Sequence, residues 1–199
     1  MAAERFEDVA EEARACRVCQ PAFAHPCRPV LTGTSQAVIR IVGQAPGTRV
    51  QKSGAPFTDP SGDRLRDWMG VTAKEFYDER LFAITPMGFC FPGLDAKGGD
   101  KPPRKECAPL WQHRCGAALP DVQLTLLIGA HAQRFHLGGR AGRTLTETVL
   151  RWRDYWPQFA ALPHPSWRNN HWLRKNPWFE NEVIPALRSR IRSILRTAS

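Results

Sequence analysis

Short apolar runs that end abruptly at glycine or proline are the feature of this chain that most restricts its fold. The run at 39–42 ends in a Gly-Gln-Ala-Pro-Gly loop at 43–47, and the run at 159–162 ends in Pro-His-Pro-Ser at 163–166. Short continuous apolar runs that alternate with helical patterns are typical of buried parallel strands. The chain is therefore predicted to be an α/β protein with a four-stranded, mostly parallel sheet.

The four strands are predicted at 38–43, 81–85, 124–128 and 158–162. Apolar periodicity and capping residues predict helices at 6–15, 73–79, 104–118, 131–136, 143–152 and 178–195. A further helix is expected after Ser61 or Asp63 as its N-cap, and 44–61 is expected to be a long polar loop. Nothing in this pattern indicates a second domain, so 1–199 is predicted to be one domain.

The polar groups that follow the first and fourth strands are expected to form the ligand site. Ligands of open parallel sheets bind at the carboxyl ends of the strands. Backbone N–H groups at 43–47 could approach a ligand closely, and His164 could donate a hydrogen bond to a leaving group. Either loop alone would also fit an ordinary strand-to-loop turn.

The net charge of +9 is concentrated at the C-terminal end of the chain. Residues 1–130 carry 16 Lys and Arg against 15 Asp and Glu, whereas residues 131–199 carry 12 against 4. This asymmetry favours a polyanionic partner, and DNA is the expected one; a solvated basic face without a partner is the alternative. No run reaches the length of a membrane span, and no signal peptide is recognised, so a cytoplasmic protein without a membrane partner is expected.

Six cysteines in a protein of that compartment favour metal ligands or free thiols over disulfides. Cys16 and Cys19 form a Cys-x-x-Cys, a spacing that lets two thiolates reach one metal centre. Cys90 and Cys107 are the expected further ligands, although Cys27 lies close enough to Cys19 to compete. An iron–sulfur cluster, zinc and buried thiols without a metal all remain open at this stage.

The two loops, in this order, resemble the two motifs of the uracil-DNA glycosylase superfamily. The cysteine spacings, with 2, 70 and 16 intervening residues, are similar to those of the iron–sulfur family 4 enzymes of that superfamily. The resemblance implies a three-layer α/β/α fold and a [4Fe-4S] cluster, with zinc as the alternative. The cluster would be held by Cys16, Cys19, Cys90 and Cys107, and 1–35 would be a helix and cluster-binding segment packed on the fold.

The resemblance also implies roles for individual residues. His164 would donate a hydrogen bond to the leaving base, and Gly43, Gln44 and Ala45 would line the positions of the base and the water. Phe57 would stack on the extruded base, and Asn169 could contact it. Pro165, Ser166 and Arg168 would contact the DNA backbone, and Trp167 or Arg168 could fill the gap that the base leaves.

Two departures from the family pattern concern the chemistry. The loop continues as Thr-Arg-Val-Gln at 48–51 without a carboxylate, so the water-activating group is open and Asp59 is the expected substitute. Thr85 is followed by Pro86, where the family has an asparagine that reads uracil. Because proline has neither an N–H nor a side-chain amide, selectivity for uracil cannot be carried over.

The sequence thus predicts a monomeric base-excision repair glycosylase that hydrolyses the N-glycosidic bond of uracil or of another deaminated base, such as hypoxanthine or xanthine. One rival is a catalytically inactive or weak nucleic-acid-binding protein that keeps the fold and cluster. A zinc-stapled binding module unrelated to glycosylases is the other rival.

Overall fold

The four apolar runs form one parallel sheet in the computed structural model, which describes residues 4–198. The strands are β1 Ile39–Val42, β2 Phe82–Ile84, β3 Leu124–Ile128 and β4 Phe159–Leu162. Their order in the sheet is β2-β1-β3-β4, and each neighbouring pair is parallel. The predicted α/β class with a four-stranded sheet is confirmed.

Helices precede, connect and follow the strands. They are α1 Phe6–Ala15, α2 Thr48–Ser53, α3 Pro60–Met69, α4 Ala73–Phe76, α5 Cys107–Ala117, α6 Ala130–Leu137, α7 Leu145–Leu150, α8 Asn170–Lys175 and α9 Ile184–Thr197. A π-helical turn, Phe179–Val183, leads directly into α9. No helix in the described part of the chain is long and apolar enough to cross a membrane.

Alternate residues of each strand point to opposite faces of the sheet, and each face carries its own layer of helices. Ile39 and Ile41 of β1 pack with residues of α3 and α9 in the larger core. Val42 lies on the opposite face, in a core that includes Ala132 and Leu137 of α6. The three-layer α/β/α arrangement that the sequence predicted is therefore present.

Helix α1 packs against α5 on the second face of the sheet. Phe6, Val9 and Ala13 are buried with Trp111 and Cys115. Arg114 of α5 also bonds the carboxylates of Glu4 and Glu12. These contacts join the N-terminal segment to the body of the fold. Residues 1–3 and 199 lie outside the described range. The single domain at 1–199 stays a prediction.

Two local predictions were wrong, and one helix was missed. The stretch 44–61 is not a continuous loop, because Val50 is buried and Gly54, at φ 77°, ends helix α2 in the left-handed conformation. Helix α3 is capped by Asp59, not by Ser61 or Asp63, because Pro60 occupies its first turn. Helix α8 was not predicted at all.

Candidate active site

A pocket opens at the carboxyl ends of β1, β2 and β4, where the sequence placed the ligand site. The empty space within it, including the open mouth, is about 580 Å³. The apolar part of its wall comes from Val30, Val50, Pro56 and Ile84. The wall also includes the residues that bear on the chemistry or on base binding: Gly43, Gln44, Ala45, Phe57, Asp59, Pro86, Asp100 and His164.

His164 is held as a neutral hydrogen-bond donor. The backbone N–H of Ser166 donates to His164 Nδ1 at 3.2 Å, so the ring proton of a neutral imidazole must be on Nε2. Burial lowers the pKa of His164 below its usual 6.5, against the opposing effect of Asp59 and Asp100. At neutral pH this pocket therefore contains an uncharged imidazole whose free ring nitrogen is the donor.

The loop that carries His164 is fastened on two sides. Asn169 Nδ2 donates to the backbone oxygen of His164 at 2.7 Å. Arg64 of α3 donates to Ser166 O at 3.2 Å and to Asn170 Oδ1 at 2.8 Å. The Asn169 amide therefore anchors the loop in the free protein. Asn169 does not line the pocket, and its contact with the base remains a prediction.

The loop after β1 is pinned by its neighbour strand and leaves one amide available. Gly43 O and Gln44 O accept hydrogen bonds of 2.9 Å from the backbone N–H groups of Met87 and Gly88. Within residues 4–198, the Gln44 side chain makes no hydrogen bond, and it lines both the pocket and the groove outside it. Its amide can consequently donate to and accept from a bound base.

Phe57 is presented to the pocket in a backbone conformation that non-glycine residues rarely adopt. Its φ is 56°, and its carbonyl oxygen accepts hydrogen bonds from Arg66 at 3.2 Å and from the Tyr77 hydroxyl at 3.0 Å. A Cβ on Gly62 would lie 1.9 Å from that same oxygen, so only glycine fits there. Surroundings that fix a strained residue this firmly are characteristic of functional sites.

Two carboxylates line the pocket, from different parts of the chain. Asp59 Oδ1 accepts a hydrogen bond from Gly62 N at 3.1 Å and caps helix α3. Asp100 belongs to the loop between β2 and α5, and its Oδ2 lies 3.5 Å from where a Cβ on Gly47 would be. Desolvation raises the pKa of Asp100, while Arg168 and His164 act in the opposite direction.

Behind Pro86, a buried polar network fixes the end of β2. Gln112 Nε2 donates to the backbone oxygens of Thr85 and Pro86, at 3.1 and 2.8 Å. Arg40 in turn donates to Gln112 Oε1 at 2.7 Å and to Thr85 Oγ1 at 2.8 Å. Because Gln112 already engages both carbonyl groups, this strand end offers a base little of the hydrogen bonding that an asparagine would supply.

Arg40 belongs to β1, and its guanidinium is a buried positive charge between the sheet and α5. Its burial lowers its pKa to about 10, which still leaves it protonated at neutral pH. His136 Nε2 lies 3.1 Å from Gln112 Oε1, and burial lowers the pKa of His136 to about 3, so His136 is neutral and donates there. The two donors to Gln112 Oε1 hold the amide so that its nitrogen must face Thr85 and Pro86.

Outside the pocket, a groove runs past the His164 loop. Arg49, Arg64 and Arg168 contribute positive charge to its wall, together with Pro165, Ser166 and Trp167. Trp167 is 71% exposed, and the Arg168 guanidinium lies 5.8 Å from the centroid of its ring. A large aromatic residue left in solvent beside a basic groove is typical of nucleic-acid interfaces.

Most arginines of the basic C-terminal third lie elsewhere. Arg188 binds the backbone and carboxylate oxygens of Asp67, Arg192 pairs with Glu75, and Arg153 pairs with Glu182. Thr197 and Ala198, at the end of α9, lie beside Val38, Leu81 and Gln123. These three residues precede β1, β2 and β3, so this end of the sheet is opposite the pocket. The charge excess of 131–199 therefore does not mark one continuous face.

The aromatic residues after the His164 loop belong to the core. Trp172, Trp178 and Phe179 pack edge to face, with centroid distances of 5.7 to 6.4 Å. Trp172 Nε1 also donates to Thr146 Oγ1 at 2.7 Å. These residues fasten α8 and the segment that leads into α9, which is the commoner use of tryptophan.

Five of the six cysteines line a second cavity, between the N-terminal segment and α5. They are Cys16, Cys19, Cys27, Cys90 and Cys107, surrounded by apolar side chains and Arg104. Burial raises the pKa of Cys90 and of Cys107 to about 12, so both thiols are protonated unless a cation is bound. In residues 4–198, no three histidine, cysteine, aspartate or glutamate side chains are grouped closely enough to hold a single metal ion.

Sequence reasoning missed three residues of the site region. Asp100 stands in a Gly-Gly-Asp-Lys stretch that looks like an ordinary turn, and only folding brings it over Gly47. Arg40 was hidden within an apolar run, although an arginine inside a buried strand is itself a sign of an internal polar network. Gln112 had no distinguishing pattern.

One comparison identifies the family. The model of the uracil DNA glycosylase superfamily matches residues 31–188, which include all four strands, the His164 loop and every residue of the pocket wall except Val30. That range also contains the two loops that carry the resemblance seen in the sequence. The chain belongs to the uracil DNA glycosylase superfamily.

Proposed function

We propose that this protein removes a deaminated base from DNA by hydrolysing its N-glycosidic bond. The observation that carries the proposal is the position of His164, a neutral imidazole with its proton directed by the Ser166 contact, in the pocket at the carboxyl ends of the strands. Such a donor stabilises the negative charge that develops on the leaving base, and one preorganised donor is worth roughly 3–4 kcal/mol.

The extruded nucleotide would enter from the groove. Phe57 offers its ring to the base, and stacking on an aromatic is worth about 1–3 kcal/mol per base. Gln44 offers a free amide to the base edge. Arg168 and the Pro165-Ser166 turn would hold the flanking phosphates, and Trp167 would occupy the space in the duplex that the base has left.

The substrate is expected to be less strictly defined than in a uracil-specific enzyme. Pro86 replaces the reading asparagine, and Gln112 binds the neighbouring carbonyl oxygens, so few fixed polar groups remain to reject a wrong base. The test is release of free base from single- and double-stranded oligonucleotides that carry uracil, hypoxanthine or xanthine. We expect modest uracil release or release of a second deaminated base; fast, strictly uracil-specific activity would contradict this account of Pro86.

A second candidate function is supported by the segment 48–51 at the start of α2, which has no carboxylate. A protein that binds damaged DNA without cleaving it would keep the groove and dispense with water activation. The same panel separates the two: DNA binding with no release of any deaminated base favours the binding protein.

We further infer that Cys16, Cys19, Cys90 and Cys107 hold a [4Fe-4S] cluster. An all-thiol donor set on an apolar cavity suits this group. Zinc, which takes four thiolates in tetrahedral geometry, is the alternative. The cluster would supply no step of hydrolysis and would tie the N-terminal segment to the β2–α5 connection.

A further inference from the structure

Hydrolysis at this pocket requires a group that orients a water molecule and accepts its proton, and this inference rests on the proposed function. The 48–51 segment offers no carboxylate. In the described part of the chain, the acidic side chains on the pocket wall are Asp59 and Asp100. The choice of water-activating residue is therefore between these two.

The two carboxylates differ in how they are engaged. One oxygen of Asp59 is committed to Gly62 N, the contact that caps helix α3. Among the residues that the structure describes, the Asp100 carboxylate accepts no hydrogen bond and forms no ion pair, so both of its oxygens are free. A free carboxylate can hold a water with one oxygen and remain available as its proton acceptor.

Asp100 is nevertheless held in place by the turn that precedes it. Asp95 Oδ1 accepts hydrogen bonds from Lys97 N at 2.8 Å and Gly99 N at 2.9 Å, which closes the turn. A β-bridge then pairs Leu94 with Asp100, and Lys101 N donates to Gly93 O at 3.0 Å. These bonds present the Asp100 side chain from a defined backbone position.

That position is the junction of the pocket with the groove. Asp100 lines the pocket with Gln44 and His164, and it lines the outer groove with Ser166 and Arg168. Its Oδ2 lies over Gly47 of the motif loop. With a base in the pocket and its phosphates in the groove, the sugar carbon that is attacked must lie between them, beside Asp100.

We propose that Asp100 is the catalytic carboxylate that orients and deprotonates the attacking water. The water oxygen bonds to C1′ of the sugar as the bond from C1′ to the base nitrogen breaks, and the electron pair of that bond leaves with the base. Asp100 takes the water proton, while His164 Nε2–H stabilises the base anion, which is then protonated from solvent. Water and the nucleotide thus give an abasic sugar and the free base.

The charged and titratable groups around Asp100 set the pH at which it can act. His164 and Arg168 face it from the loop after β4, Asp59 from the start of α3, Arg49 from α2, and Asp95 from its own turn. Desolvation raises the pKa of Asp100 above its ordinary value. Because only the ionised form accepts a proton, the rate should fall as the pH drops through this raised pKa.

The test is single-turnover base release by the intact protein, measured for wild type, Asp100→Asn and the matched control Asp63→Asn. Asp63 lies on α3 beside Arg66, outside the pocket lining, and its replacement removes the same charge. We expect Asp100→Asn to lose about 10²–10⁴-fold in rate and the acid limb of the pH profile, while Asp63→Asn matches wild type. Affinity for DNA with a tetrahydrofuran abasic analogue should stay equal or increase, which shows that the variant is folded.

An unchanged rate in Asp100→Asn, or a comparable loss in Asp59→Asn with Asp100→Asn unaffected, would overturn the assignment and leave the proposed function intact. A loss in Asp100→Asn that is accompanied by an equal loss of affinity would also overturn it. Wild-type protein that binds DNA but releases no base would remove the proposed function, and the assignment with it.

Discussion

At the scale of single residues, one backbone contact decides the chemistry of His164. Since Ser166 N–H occupies Nδ1, the neutral ring keeps its proton on Nε2 and acts as a donor without becoming cationic. Phe57 is fixed by two hydrogen bonds to its carbonyl oxygen and by the close approach of Gly62. His164 is thus positioned from within its own loop, whereas Phe57 also depends on the side chains of Arg66 and Tyr77 from later in the chain.

Asp59 has a structural role that can be separated from any chemical one. Asp59→Ala removes the acceptor for Gly62 N and should lower the free energy of unfolding by about 1 kcal/mol, measured by urea denaturation. Asp59→Asn keeps an acceptor in the same place and should restore most of that stability. Equal destabilisation by both variants would show that the carboxylate charge, and not the cap, is what stabilises α3.

The same pair of variants tests the sequence-based prediction that Asp59 activates water. If Asp59 only caps the helix or orients water, Asp59→Asn should retain most of its base release. A loss as large as that expected for Asp100→Asn would instead make Asp59 the missing base.

At the scale of elements, the strands were predictable and several helices were not. The four apolar runs became strands within two residues of their predicted ends, because strands covered on both faces must be continuously apolar. Helix α2 has one buried apolar residue, Val50, and therefore carries no helical periodicity to detect. Its end was nevertheless marked by Gly54, whose left-handed conformation stops the helix.

The cysteine cavity lies between two elements, because its wall comes from both the N-terminal segment and the start of α5. Protein purified without oxygen should be brown and contain about four irons per chain. Cys107→Ser should lower the iron content, and iron analysis with visible absorption measures it. Colourless protein with one zinc would contradict the cluster.

Cys27 provides the matched control for this measurement, because it lines the same cavity outside the proposed ligand set. Cys27→Ser should leave the iron content near that of wild type. An iron loss equal to that of Cys107→Ser would mean that Cys27 replaces one of the four proposed ligands.

At the scale of the whole molecule, the uneven charge of the chain predicted a polyanionic partner but not the surface that would bind it. The excess of 131–199 includes arginines that are paired within the structure, such as Arg188 and Arg192 of α9. Only a three-dimensional arrangement shows that Arg168 joins Arg49 and Arg64, from the neutral part of the chain, around one groove. The position of Asp100 and the partners of Arg40 could not be predicted for the same reason, since they depend on how distant segments pack.

This arrangement predicts which arginine matters for DNA. If Arg168 contacts a phosphate, Arg168→Ala should weaken duplex binding for all sequences alike and reduce the log–log salt slope by about 0.9. Arg196→Ala removes an equal charge from the last turn of α9 and should leave the slope unchanged. Fluorescence anisotropy across a salt series measures both; an effect of Arg196 equal to that of Arg168, or binding that does not depend on salt, would contradict the groove as the interface.

The central claim, that His164 stabilises a leaving base, is tested most directly by single-turnover base release from the lesion panel. His164→Ala should lose about 10²–10³ in rate while its affinity for DNA stays that of wild type. His113→Ala removes an exposed histidine of α5 and should retain full activity. Undiminished base release by His164→Ala, or wild-type protein that binds DNA and releases no deaminated base, would contradict the account.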